Sequence, residues 1–83
     1  MSYTIWPDGR HGEATQDAYD EVLRARDKHP GDFNSCHEGM SVLREEVDEL
    51  WDEVKKQNRS KAKLREEAIQ VAAMAIRFAA ELT

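Results

Sequence analysis

The chain has 83 residues, with 17 acidic and 12 basic side chains, a formal charge of −5 and one cysteine. A chain of this length holds one domain and buries only about 60–65% of its unfolded surface, so a lone core is marginal and self-association is expected. The acidic balance argues against a nucleic-acid polymer as partner, which needs a net basic surface, and the single Cys36 forms no intrachain disulfide and suits a reducing cytoplasm.

Residues 1–11 read as an irregular arm, with turn chemistry at Trp6-Pro7-Asp8-Gly9. They carry neither a basic n-region nor an apolar h-region, so no signal peptide is expected. Residues 12–83 read as a single helical domain. The first helix is expected from about Glu13 to Lys28, with a thin apolar stripe of Ala18, Val22, Leu23 and Ala25, extended by Tyr19. His29-Pro30-Gly31 ends it, because proline disfavours helical geometry in the residue before it.

Ser35-Cys36-His37-Glu38 matches a capping box and starts a second helix running to about Gln57. Its apolar seam is Met40, Leu43, Val47, Leu50, Trp51 and Val54, which places Trp51 in a core or an interface. Ser60 is the N-cap of a third helix that runs to about Leu82. Between Ala68 and Ala80 that helix is apolar nearly all round, so cover by a second subunit is expected. The same stretch contains Gln70 and Arg77 and is too short and polar to span a bilayer.

At 100° per residue, Glu46, Glu49 and Glu53 share one flank of the second helix, while Asp48 and Asp52 face solvent. Three like charges side by side repel unless a cation lies among them. On the third helix Glu67 and Gln70 are neighbours on an otherwise apolar face, where an unpaired carboxylate is costly. Two antiparallel helices joined by a short turn bring Glu46 and Glu49 near Glu67 and Gln70. Carboxylates on two rigid helices, completed by waters and phosphate oxygens, suit the octahedral demand of Mg²⁺. Charged helix exteriors often carry the same spacing as a plain solvated face.

The segments Leu43-Arg44-Glu45-Glu46-Val47-Asp48-Glu49-Leu50-Trp51 and Leu64-Arg65-Glu66-Glu67-Ala68-Ile69-Gln70 resemble the MazG-like all-α nucleoside triphosphate pyrophosphohydrolases. That family carries EExxE followed, after a gap, by ExxD. Here 17 residues separate Glu49 from Glu67, and Asn34 to Gly39 is similar to small phage and bacterial members. The resemblance covers about residues 20–82. It implies a helical bundle completed by dimerisation or tetramerisation. It also implies Mg²⁺, with Mn²⁺ as a substitute, and cleavage of a nucleoside triphosphate, ribo- or deoxyribo-, to the monophosphate and pyrophosphate. Carried over by position, Glu46, Glu49 and Glu67 are the catalytic metal ligands, with Glu45 beside them. Gln70 stands where the family has Asp; its carbonyl can ligate but brings no charge and cannot act as a base.

Other residues near the pattern have plainer explanations as well. Glu38 and Glu53 are candidate additional ligands, although the capping box already accounts for Glu38. Lys55 and Arg77 are candidate phosphate contacts, with Arg77 equally suited to pair with Glu81. Cys36 and His37 read as incidental surface residues. Two alternatives to the enzyme reading remain: a degenerate relative that binds nucleotide or metal without turnover, motivated by Gln70, and an oligomeric helical interaction module, motivated by the apolar third helix.

Overall fold

The computed structural model describes residues 9–83, which form three helices and no strand: α1 (Gly9–Lys28), α2 (Cys36–Lys55) and α3 (Lys61–Glu81). The expected turn at Trp6-Pro7-Asp8 lies outside the described residues. Residues 9–11, expected in the arm, are the first turn of α1. Gly9 enters with φ +64°, a geometry glycine adopts freely, and carrying the helix through Gly12 costs only about 1 kcal/mol, so the missing apolar stripe does not stop it. No helix among the described residues is long and apolar enough to cross a membrane.

Local capping fixes the other helix ends. Ser35 is extended (φ −157°, ψ 162°) and its hydroxyl accepts from the Glu38 N–H at 3.1 Å. The Glu38 carboxylate reaches one residue past Ser35, accepting from the Asn34 N–H at 2.7 Å and from Asn34 Nδ2 at 3.3 Å. α2 stops at Lys55 because Lys56 turns extended (φ −65°, ψ 140°). Ser60 then caps α3 by accepting from the Lys63 N–H at 3.1 Å. Glu53 ties the turn together: its carboxylate accepts from the Ser60 N–H at 2.8 Å and from Lys56 Nζ at 3.0 Å.

α3 is the central helix. It packs against both others, and no Cα of α1 comes within 8 Å of α2. The resulting core is small. Val22, Ala73 and Met74 are buried together, with Ala25, Phe33, Val42 and Leu43 packed partly against them. The seam of α2 does not point into this core as expected. Met40, Val47 and Trp51 are 47%, 44% and 56% exposed, so Trp51 lies outside the core. Gly39 and Glu53 are the buried residues of α2, with Leu43, Glu46 and Leu50 half-buried beside them. The helix is turned about 80° from the direction its apolar seam suggests.

Two contacts fix that rotation. Glu53 must face the Ser60 N–H, and Gly39 must face the end of α3. A Cβ on Gly39 would lie 2.5 Å from Leu82 Cδ1 and 2.9 Å from Phe78 Cδ2. Gly39→Val is therefore expected to cost about 2 kcal/mol through overpacking and to lower Tm by about 8 °C in a thermal melt. An unchanged Tm would show that Phe78 and Leu82 move aside freely.

Candidate metal centre

The antiparallel α2–α3 hairpin sets Glu46 and Glu49, one turn apart on α2, opposite Glu67 on α3. One carboxylate oxygen from each lies within 4.8 Å of the others. Burial is graded across the three: Glu49 is exposed, Glu46 half-buried and Glu67 6% exposed. Glu67 Oε1 receives Lys63 Nζ at 3.0 Å, whereas Glu67 Oε2 is sealed from solvent and has no hydrogen-bond partner. Leaving a carboxylate oxygen dry and unpaired is costly, and native structures seldom tolerate it.

The charges are out of balance as well. Lys63 is drawn to Glu67, with Glu66 as a weaker attraction, and holds its proton more tightly than an ordinary lysine. That single cation does not neutralise the cluster. Glu46 shows the deficit: burial, then the neighbouring Glu49, then the charges of Glu67 and Glu45 push its carboxyl up to about 7. Glu45 is exposed and acts on the site only through its field.

A pH dependence follows from that shift. The folded chain holds the Glu46 proton more tightly than the unfolded chain, for which the ordinary value is 4.5. Stability is then greatest below the unfolded value and falls as pH rises towards about 7. In chelator-treated protein, Glu46→Gln is expected to flatten the decline in Tm between pH 5 and 8. A variant whose melting curve tracks the wild type at every pH would show that Glu46 feels no strain.

The remaining candidates fall in different places. Gln70 is half-buried and lines, with Glu46, a cleft of about 700 Å³ between α1 and α2 over α3. Glu53, expected as an additional ligand on the same flank, is committed to the Ser60 N–H, which with Lys56 holds its pKa below the ordinary range. Glu38 lines the cleft, but its two oxygens are engaged by Asn34. Lys55 lies nine residues from Glu46, half a turn round the helix. It faces outward beside Asp52 at 3.4 Å and 5.9 Å over the Trp51 ring. Asp48 and Asp52 are exposed.

Arg77 lines the cleft, but Glu81 holds it with bonds of 2.8 Å from Nε and 3.1 Å from Nη2. It also donates to the Gly31 carbonyl at 3.3 Å and lies over the Phe33 ring at 4.3 Å. Gly31, at φ +102°, supplies a backbone turn that a side chain would strain.

Two residues, one at the cluster and one lining the cleft, fall outside the sequence motifs. Lys63 sits four residues before Glu67, a standard helical ion-pair spacing visible in the sequence. Glu21 lies in register with Ala18, Val22 and Ala25 on the inward stripe of α1, and is 8% exposed. An acid interrupting a thin apolar stripe was the available signal. No family model matches the sequence, and no curated protein or solved structure matches the chain.

Proposed function

We propose that the chain is a Mg²⁺-dependent nucleotide pyrophosphohydrolase of MazG-like type, cleaving a nucleoside triphosphate to the monophosphate and pyrophosphate. The observation that carries the reading is the cluster of Glu46, Glu49 and Glu67, in which Glu67 keeps one buried carboxylate oxygen without a hydrogen-bond partner. Oxygens on one octahedral Mg²⁺ lie about 3–4 Å apart, so small side-chain adjustments within 4.8 Å bring the three carboxylates to a common ion. Hard oxygen donors alone favour Mg²⁺ or Mn²⁺ over softer metals.

Glu46, Glu49 and Glu67 would hold the cation, which when bound neutralises phosphate charge and lowers the pKa of a coordinated water. In the hydrolysis a water oxygen bonds to the α-phosphorus. The bond from that phosphorus to the bridging oxygen breaks, and pyrophosphate leaves with the electron pair. The attacking water's proton passes to a carboxylate. The adjoining cleft, about 700 Å³, is of the size that binds small ligands, and its floor of Ala25, Val42 and Met74 suits an apolar base or sugar face. The test is pyrophosphate release from a panel of ribo- and deoxyribonucleoside triphosphates, modified bases included. Release with Mg²⁺ that stops on chelation supports the reading; no release from any nucleotide overturns it.

The same reading includes a homo-oligomer. Met40, Val47, Trp51 and Val54 form an exposed apolar stripe along α2, and Ala75 and Ile76 are exposed on α3. A self-complementary contact is the common way to cover such a face. Sedimentation is expected to show a dimer or tetramer for the wild type and a lighter species for Trp51→Lys. A wild type that stays monomeric at about 100 μM would contradict this part of the proposal.

A further inference from the structure

We infer that Lys63 holds the terminal phosphates of the substrate and the pyrophosphate that leaves. This rests on the hydrolysis proposed above. Lys63 is the third residue of α3, and its N–H is capped by the Ser60 hydroxyl at 3.1 Å. A serine-capped helix favours Glu or Gln at that position, where the side chain can close on the N–H of the cap. α2 follows the rule in residue type, with Glu38 three residues after Ser35. α3 has a lysine there instead, and Glu53 reaches across the turn to take the Ser60 N–H at 2.8 Å. The lysine is poorly placed for stability. A cation in the first turn opposes the helix dipole. Its ion pair with Glu67, at 3.0 Å, runs in the weaker order, with the base four residues before the acid. The Lys63 side chain is 48% exposed, so solvent screens much of the attraction that remains.

Its place in the hairpin supplies the reason for it. Val42, Glu46, Gln70 and Met74 line the cleft, so the cleft extends from the acids away from the hairpin turn. Lys63 lies on the other side of the acids, one helical turn before Glu67 and about 6 Å nearer the hairpin turn. A nucleotide with its base in the cleft and its α-phosphate at the cation therefore carries its β- and γ-phosphates to Lys63. The charge of the turn favours the same direction. Lys55, Lys56, Arg59, Lys61 and Lys63 fall within nine consecutive positions that contain no acid, so the field there draws the polyphosphate end rather than the base. Among the described residues, Lys63 alone of these five is ion-paired with an acid of the cluster; Lys55 and Lys56 pair with Asp52 and Glu53. Lys63 Nζ gives up Glu67 when that carboxylate ligates the cation, and is then free to donate to phosphate oxygens. As the α-phosphorus bond to the bridging oxygen breaks, negative charge gathers on the departing pyrophosphate. Nζ donates hydrogen bonds to that charge and keeps its proton.

The experiment titrates inorganic pyrophosphate, and separately a panel of nucleoside monophosphates, into the full chain with Mg²⁺ in excess, by calorimetry. Lys63→Gln is expected to weaken pyrophosphate about tenfold, the scale of one charge-assisted hydrogen bond. Its monophosphate affinity is expected to stay within about twofold, because that ligand does not reach Lys63. Lys63→Arg keeps the charge and the donors and is expected to hold pyrophosphate to within about threefold. Lys61→Gln removes the same charge from the opposite side of α3 and is expected to stay within about twofold for both ligands. If Lys63→Gln does not fold, lysine-selective NMR of the wild type replaces it: the Lys63 Nζ signal shifts with pyrophosphate and not with monophosphate, and equal responses overturn the inference. Unchanged pyrophosphate affinity in a folded Lys63→Gln, equal losses for the two ligands, or an equal loss in Lys61→Gln also overturns it and leaves the proposed hydrolysis standing. A wild type that binds neither ligand overturns both.

Discussion

Glu81→Ala is expected to lower the melting temperature by more than about 12 °C. Glu81 is the main electrostatic anchor of the fold. Its side chain is 4% exposed and accepts from Arg77 Nε at 2.8 Å and Nη2 at 3.1 Å, from Arg26 at 2.7 Å and from the Phe33 N–H at 2.9 Å. These bonds join α1, the loop after it and the end of α3. Removing one partner of a buried ion pair costs about 3–5 kcal/mol, because the other charge remains buried. In a chain of this size each kcal/mol shifts Tm by about 4–8 °C. Arg77, its side chain 7% exposed, is the charge left behind.

The anchor has a pH signature of its own. Arg77, with help from the Phe33 N–H and Arg26, holds the Glu81 carboxyl down at about 2. Its stabilisation is therefore complete above the unfolded value of 4.5 and is lost as pH falls towards 2. Wild-type Tm should drop through that window, while Glu81→Ala, already low, should drop much less. Equal slopes for the two proteins would show that the drop comes from other carboxylates. The surface pair of Lys55 and Asp52, at 3.4 Å and mostly solvated, is a control: Asp52→Asn should change stability by under about 0.5 kcal/mol.

The second large effect is on activity. Glu46→Ala and Glu67→Ala are each expected to reduce Mg²⁺-dependent pyrophosphate release by at least about 100-fold, more than the loss typical of outer-shell changes. Stability should move the other way in the absence of metal. Deleting Glu46 relieves the burial of its charge and the repulsion from Glu49 that together raise its pKa, so the apo variant should melt at or above the wild type at pH 8. Loss of function with gain of apo stability separates a ligand from a packing residue. A fall in both properties together would assign Glu46 a structural role.

Much of the helical frame was legible in the sequence because its signals are local. Ser35 and Ser60 cap the helices they were expected to cap, since a hydroxyl accepting from the N–H three residues on involves only one turn of chain. The antiparallel hairpin that brings Glu46 and Glu49 to Glu67 followed from the short break near Ser60. The rotation of α2 was not legible. It depends on Gly39 meeting Phe78 and Leu82, far along the chain, and on Glu53 turning inward to Ser60. Periodicity ranks faces by hydrophobicity, and here the most apolar face is not the one buried within the chain.

The same limit explains Glu53 and Glu21. Helical angle alone grouped Glu53 with Glu46 and Glu49, but a backbone N–H seven residues on claims it. Glu21 lies outside any acidic motif, and only the packing of α1 on α3 brings it to the cleft that Gln70 also lines. Arg77 and Glu81 were recognisable as an i, i+4 pair; that Arg26 and Phe33 converge on the same carboxylate depends on the tertiary fold.

We propose that Glu46, Glu49 and Glu67 together hold a divalent cation. Diffraction from crystals grown with Mn²⁺, recorded at a wavelength that reveals the metal by its anomalous signal, tests it most directly. The predicted result is a peak within about 2.5 Å of an oxygen from each of the three carboxylates, with Glu67 Oε2 among them. Ordered glutamates with no peak between them, and Lys63 as their only cation, would contradict it.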